Sequence, residues 1–306
     1  MKVVSRDYNP DGSDFKQLCL FIVGDNALKK EYFIWQLGRM VDWKYGLWNQ
    51  HKFFPTFFSK NARLWLNYCG ELVGFAISES GGGDFSIFVQ EAYIHIYEEI
   101  LQWVVENWRD RDNTLQTELN EVQVYQRQIL EQYGFTAGEG SEITRVFDLK
   151  NREASHRVLE DGFKIVDMAS HYDPVGKAKL QLNAFRNRDN VEEIDLLARE
   201  YVRESPIYRA AFDISILNPQ GEHVAGCEAF IDYQNGVAEI ERVCTHNAYR
   251  RKGLARVVIE DCFQRLQAHG VYSAYITGWN EATNNLYGNL GHRKEVIRNH
   301  YELSKS

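Results

Sequence analysis

Apolar and polar residues alternate over residues 211–217 and 224–233, with Asn218-Pro219-Gln220-Gly221 between them. That pattern predicts two antiparallel strands joined by a tight turn. A third alternating run, 236–245, predicts another strand. Leu254, Val257, Val258, Cys262 and Leu266 then recur at helical spacing up to Gly270, which predicts a helix over 254–269. A strand over 272–277, a helix over 281–290 and a last strand over 296–303 follow, and 177–203 reads as helical.

The same order of elements runs through the first half of the chain. Gly70-Glu71-Leu72-Val73-Gly74-Phe75 resembles Gly221-Glu222-His223-Val224-Ala225-Gly226, at an offset of 151 residues. Tyr133-Gly134-Phe135 matches Leu290-Gly291-His292 at an offset of 157. Two short matches are cheap, but a shared order of strands, turns and helices over some 80 residues is not, and it predicts a tandem duplication with its join near 150–157.

Composition narrows the chemistry. The chain has 306 residues and a net charge of −8, from 35 basic and 43 acidic side chains, so a general phosphate-binding surface for nucleic acid is not expected. An acidic chain suits a cationic or neutral small substrate. Five widely spaced cysteines without a Cys-x-x-Cys predict buried reduced thiols rather than disulfides or a zinc site. Residues 1–10 lack the apolar core of a signal peptide, and the longest apolar runs, such as 18–23, are too short to span a membrane, so a cytoplasmic protein is expected.

The chemistry concentrates in Val243-Cys244-Thr245-His246-Asn247-Ala248-Tyr249-Arg250-Arg251-Lys252-Gly253-Leu254-Ala255, between a predicted strand and a long helix. Gly253 lets the backbone approach an anion closely, and the first helical turn aims free N–H groups at it. Arg250, Arg251 and Lys252 add charge there. Glu239 and Glu241, two apart on a predicted strand, share one face of a sheet, where half-burial raises a carboxylate's pKa and suits it to act as a base.

Downstream lies Asn280, then Tyr287 seven residues later, then Leu290-Gly291. With Arg250, Gly253 and Ala255 these residues resemble the signature of the GNAT superfamily of acyl-CoA-dependent N-acyltransferases. The match is strong over 237–303; Asn247 stands where many members have Pro, and His292 where they have Phe. The resemblance implies an α/β (α+β) fold of two tandem GNAT-like domains, 1–150 and 151–306, each a mixed, mostly antiparallel sheet flanked by helices. It implies that Val243, Cys244 and Thr245 bond the pantetheine arm of acetyl-CoA and that the amides of Arg251, Lys252, Gly253, Leu254, Ala255 and Arg256 cradle its pyrophosphate, with Arg250 positioning the loop. Asn280 then contacts the cofactor's amide arm, and Tyr287 protonates the departing thiolate. The expected base is Glu239 or Glu241, acting directly or through water, or water itself; Glu239 stands 14 residues before Gly253, the offset at which the histone-acetylating branch carries its base. His246 is an outside candidate, and the oxyanion donor is a backbone N–H of the same strand.

The first half has no counterpart to the cradle. No glycine occurs between Gly83 and Gly134, and Glu91, Glu98 and Glu99 would repel phosphate, which predicts a degenerate domain that does not bind the cofactor in the usual way. Twelve aromatics between Tyr32 and Tyr68, Trp35, Trp43, Trp48, Phe53, Phe54, Phe57 and Phe58 among them, read mainly as core, with a share in shaping the acceptor pocket. The expected activity is acetyl transfer to a primary amine of a small molecule, with no metal, no nucleic-acid partner and no membrane. The alternatives are a non-catalytic acyl-CoA sensor and a protein or peptide N-acetyltransferase.

Overall fold

The structure, a computed structural model, describes residues 2–29, 35–46, 50–54, 56–153 and 159–305. Tyr32, Phe33 and Trp48, and part of the expected join, lie outside them. The chain runs through β1 (Val4–Asp7), α1 (Asp14–Lys29), α2 (Leu37–Tyr45), α3 (Phe57–Asn61), β2 (Ala62–Leu66), β3 (Leu72–Ile77), β4 (Ser86–Val89), α4 (Tyr97–Trp108), β5 (Thr114–Asn120), α5 (Val124–Gln132) and β6 (Thr136–Asp148). It continues as β7 (Lys164–Asp167), α6 (Pro174–Arg186), α7 (Glu193–Arg203), β8 (Asp213–Leu217), β9 (His223–Asp232), β10 (Val237–Thr245), α8 (Leu254–Ala268), β11 (Ser273–Gly278), α9 (Glu281–Gly288) and β12 (Lys294–Ser304). Among the described residues no helix is long and apolar enough to cross a membrane.

Two compact units result, and neither is a contiguous half. The first comprises Met1–Ile34, Trp48–Ile143 and Val296–Ser306; the second comprises Trp35–Leu47 and Thr144–Glu295. A cut at residue 150 falls inside the second unit. The physical reason is pairing: β12, last in sequence, forms an antiparallel ladder with β5 of the first unit, from Arg298 opposite Asn120 to Ser304 opposite Thr114. The end of β6 in turn joins β11 of the second unit, where Thr144 and Thr277 hydroxyls meet at 2.8 Å and Ser273 Oγ donates to the Phe147 carbonyl.

In the first unit β1, β2, β3 and β4 form an antiparallel sheet, and α4 packs Ile100, Leu101, Val104 and Trp108 into its core. In the second, β7, β8, β9 and β10 are antiparallel neighbours and β10 pairs in parallel with β11. Ala238 and Ile240 face Val258, Ile259, Cys262 and Leu266 of α8. The other face meets α6, α7 and α2. The expected single helical stretch 177–203 is two helices: Asn187 turns left-handed (φ 52°) and ends α6. Arg188 then binds Asp195 and Glu192, whose reciprocal cap starts α7. The five cysteines are free, yet only Cys227, Cys244 and Cys262 are buried; Cys69 is exposed in a turn and Cys19 is intermediate, so the expected burial fails for two.

The duplication is visible atom by atom in the turns before β3 and β9. The Asn67 side-chain oxygen accepts from the amides of Cys69 and Glu71, and Asn218 Oδ1 does the same for Gln220 and Glu222. Their amide nitrogens reach Glu71 at 2.7 Å and Glu222 at 2.8 Å, and also the hydroxyls of Tyr93 and Tyr249. Gly70 and Gly221 hold φ of 78° and 82° at the same step.

Six charges alternate through the interior of the second unit. Lys177 binds Asp213 at 2.7 Å, Arg199 bridges Asp213 and Glu228 at 2.5 and 2.7 Å, and Arg242 bridges Glu228 (2.8 Å) and Asp42. Although burial opposes its ionisation, Arg242, Arg199 and Lys177 hold the Glu228 carboxyl well below the usual range. Arg199→Met leaves Asp213 and Glu228 short of a partner, and should cost roughly 3–5 kcal/mol in urea unfolding. Because the folded pKa of Glu228 lies below its unfolded value of ~4.3, its contribution is complete above that value and fades as pH falls through the folded one. Unfolding midpoints measured from pH 7 to 3 should therefore drop in acid, with a shallower drop in Glu228→Gln.

Candidate functional site

Strand β10 leaves its neighbour early. Val237, Ala238 and Glu239 pair with Ser273, Ala274 and Tyr275 of β11, and no pairing continues beyond them. On the other side β10 stays on β9, but with one extra residue between Glu241 and Cys244, where Arg242 turns to φ 53°. This bulge swings the strand's end outward. The facing edges of residues 240–245 and 276–278 thus carry backbone groups without a strand partner, and Val243, Cys244 and Thr245 lie on that open edge.

The edge leads into the loop before α8. A short turn, Asn247–Tyr249, is followed by Arg251 at φ 66° and Gly253 at φ 79°, and Gly253 is the N-cap of α8 with no side chain closing it. The amides of residues 254–256 consequently have no acceptor within the helix. Arg250 props the loop, donating to the carbonyls of Ala184 (3.0 Å) and Thr245 (3.4 Å). Asn247, in place of a proline, ties the loop to α6: its amide donates to Asn183 Oδ1 at 2.7 Å and its side chain to the Asn183 carbonyl. Arg251 and Lys252 are exposed. Arg256 is anchored on the Asn289 carbonyl, and His246 Nδ1 accepts from the Ala248 amide within the turn.

Across the gap, Asn280 caps α9, its oxygen accepting from the Thr283 amide at 2.9 Å. The side chain's carbonyl is thus engaged in the helix, which leaves its amide end for any ligand. Tyr287 is 4% exposed in the core of the second unit. Burial first, then the Glu241 charge, raise its phenol well above the ordinary value, so it stays protonated.

The structure separates the two carboxylates. Glu239 is 2% exposed, and its Oε2 accepts the Arg39 amide at 2.8 Å, closing the N-terminus of α2, which its own N-cap Gln36 leaves open. Glu241 is half-buried. Burial, then the neighbouring Glu239 and Asp42 charges, push its carboxyl well above the usual range. Helix α2 was not legible as part of this site: nothing in the spacing of Gly38, Arg39 and Asp42 marks it. Of the aromatic-rich segment, Trp35, Trp43, Phe57, Phe58 and Trp65 are core, whereas Phe53, Phe54 and Tyr68 are exposed.

Gly38 makes the close approach possible, since a Cβ there would lie 2.7 Å from Glu239 Oε2 and 3.1 Å from the Phe230 ring. Gly38→Ala should cost about 1–3 kcal/mol in urea unfolding. Gly24→Ala, at an exposed position of α1 with nothing within 4 Å of its Cβ, should instead stabilise by roughly 0.5–1 kcal/mol.

Residues 179–292 match the family described as Acetyltransferase (GNAT) family. In fold the chain is similar to a GCN5-related N-acetyltransferase from Sphaerobacter thermophilus (16% identity, 99% of this chain and 96% of that one, TM-score 0.63). It is also similar to a tandem GNAT protein from the clavulanic acid biosynthesis pathway (9% identity, 99% and 98%, TM-score 0.64) and to a GNAT-family acetyltransferase from Colwellia psychrerythraea (13%, 99% and 100%, TM-score 0.59). No curated protein sequence matches at a significant level.

Proposed function

We propose, on the premise that residues 179–292 match the GNAT acetyltransferase family, that the chain is an acyltransferase that moves an acetyl group from acetyl-CoA to a primary amine of a small molecule, by direct attack in a ternary complex. The observation that carries the reading is the splay of β10 from β11 beyond Glu239 and Tyr275, with the uncapped start of α8 at one end. A linear, amide-containing arm fits along such an open edge, with its phosphates at the free amides of residues 254–256. Positive φ at Arg251 and Gly253 curls the loop into a concave nest of N–H groups.

Glu241 is the general base. Its raised pKa brings it nearer that of the proton it must take, and no hydrogen bond within the described residues occupies it. Glu239 is committed to α2. As the amine attacks the thioester carbonyl, the C–N bond forms, the ammonium proton passes to Glu241, and an N–H on the open edge of β10 receives the oxyanion. The C–S bond then breaks and the thiolate takes the Tyr287 proton. The two steps are coupled, because protonating Glu241 removes a negative charge that held the phenol's pKa up. A pure sensor has no use for this acid–base pair.

The first half takes part through α2, whose Arg39 and Asp42 stand beside Glu239 and Arg242 on the acceptor side. Its own loop position, before α4, lacks the cradle, so acetyl-CoA binds once per chain.

Titration calorimetry should give one acetyl-CoA site, greatly weakened in Gly253→Asp, which adds strain and negative charge to the loop; two equivalent sites would refute the assignment. With thiol release as the readout, Tyr287→Phe and Glu241→Gln should each lose on the order of 10²–10⁴-fold in turnover while keeping acetyl-CoA affinity. Since the base must be deprotonated, kcat/KM rises with pH through the elevated Glu241 pKa. That limb should disappear in Glu241→Gln and persist in Glu239→Gln, whose amide oxygen still accepts from Arg39.

A further inference from the structure

Folding gathers a second group of side chains with metal-binding chemistry. His171, in the bend after β7, Asp173, at the N-cap of α6, and His223, the first residue of β9, place one ligand atom each within 4.8 Å of one another. They come from two places in the sequence, 171–173 and 223, and no cysteine is involved.

Each member is held ready. His223 is 4% exposed, and neither of its ring nitrogens has a hydrogen-bond partner. A buried polar group left unmade costs about 1–3 kcal/mol, so an unpartnered imidazole needs an explanation. Its Nε2 points at Asp173 Oδ2, 3.4 Å away, without the alignment of a hydrogen bond. Asp173 divides its oxygens: Oδ1 accepts the Gly176 amide at 2.9 Å, and Oδ2 faces His223. His171 is anchored through its amide, which donates to the Asp167 carbonyl at 2.8 Å, and its ring centroid lies 5.8 Å from that of His223. The space between is kept open by a glycine: a Cβ on Gly176 would come within 2.3 Å of Asp173 Oδ2 and 2.7 Å of the His223 ring.

We propose that His171, Asp173 and His223 form a binding site for a divalent transition metal, zinc in the first instance, with two imidazole nitrogens, one carboxylate oxygen and a remaining position open to water. Two nitrogens and one oxygen are a donor set that zinc accepts in four-coordination. The nearby Lys177 ammonium is no bar, since Asp213 binds it at 2.7 Å. Bound metal would clip the bend after β7 and the start of α6 to the β8–β9 hairpin. The far end of α6 holds the loop before α8 through Asn183 and Ala184, so the clip would steady the helix on which that loop leans. The proposal does not depend on the acyl-transfer reading.

The test uses the full chain, stripped by chelation and titrated with Co²⁺ for its visible d–d bands and with Zn²⁺ for thermal stability. One equivalent of Co²⁺ with the spectrum of a four-coordinate site is expected, together with a rise in Tm that grows with free Zn²⁺. Replacing His223 removes a buried ring and risks the fold, so the discriminating variants are His171→Ala and Asp173→Asn, the latter keeping a good helix cap. Both should keep the metal-free Tm and lose roughly tenfold or more in affinity. The chain has nine histidines, so binding that survives both variants unchanged belongs to other sites and overturns the proposal, as does a parent chain that gives neither spectrum nor shift.

Discussion

The second unit depends on a balance of buried charge. Lys177, Arg199 and Arg242 bring three cations into its interior, where Asp213 of β8 and Glu228 of β9 bind them. The third anion, Asp42, comes from α2, more than a hundred residues upstream. Without it, Arg242 would share one carboxylate with Arg199, and an uncompensated buried charge costs several kcal/mol. This requirement acts together with apolar packing, since Met40, Val41 and Trp43 of the same helix are fully buried, to keep a helix of the first half in the second unit. A network of this kind adds little net stability over well-packed apolar side chains; what it supplies is a single arrangement of α2, α6, α7 and β10 in which every charge has its partner.

The two halves repeat each other closely in these turns, so the point just after them where they diverge is informative. Tyr93 and Tyr249 close equivalent turns, each amide donating at 2.8 Å to the residue three before it, Gln90 and His246. Between Tyr93 and α4 lie Ile94, His95 and Ile96; between Tyr249 and α8 lie Arg250, Arg251, Lys252 and Gly253. The first linker stays in a helical conformation, and Ile96, 3% exposed, packs into the core. The second has one residue more, two positive φ angles and an exposed glycine. One residue and the sign of φ separate a loop that continues a helix from one that leaves a helix start without a side-chain cap.

Much of this was legible in the sequence. Period-two and period-3.6 patterns located strands β8 to β11 and helix α8 within a residue or two, because each has one face on a single core. The turn residues found the duplication, since Asn-x-x-Gly geometry depends on local bonds alone. The turn before α8 was legible from Gly253, whose positive φ needs no distant partner. What the pattern did not carry was long-range: the exchange of β12, the placement of α2 and the break at Asn187 depend on partners far along the chain or on a single left-handed residue. Glu239 and Glu241 were indistinguishable as sequence, being two alternate residues of one strand.

Their separation follows from the arrival of α2. A helix N-terminus leaves amides without acceptors, and Gly38 lets this one come close enough for Arg39 to donate to Glu239. Glu239 is thereby engaged by a backbone donor and withdrawn into the structure. Glu241, two residues on, receives no such donor, yet inherits the negative fields of Glu239 and of Asp42, the residue that completes the charge network. The same helix therefore satisfies one carboxylate and destabilises the charge on the other. In the proposed reaction that asymmetry matters, because a carboxylate already satisfied by a backbone amide gains little from a proton. A half-buried one between like charges gains much, and it is the one whose titration the Tyr287 phenol feels.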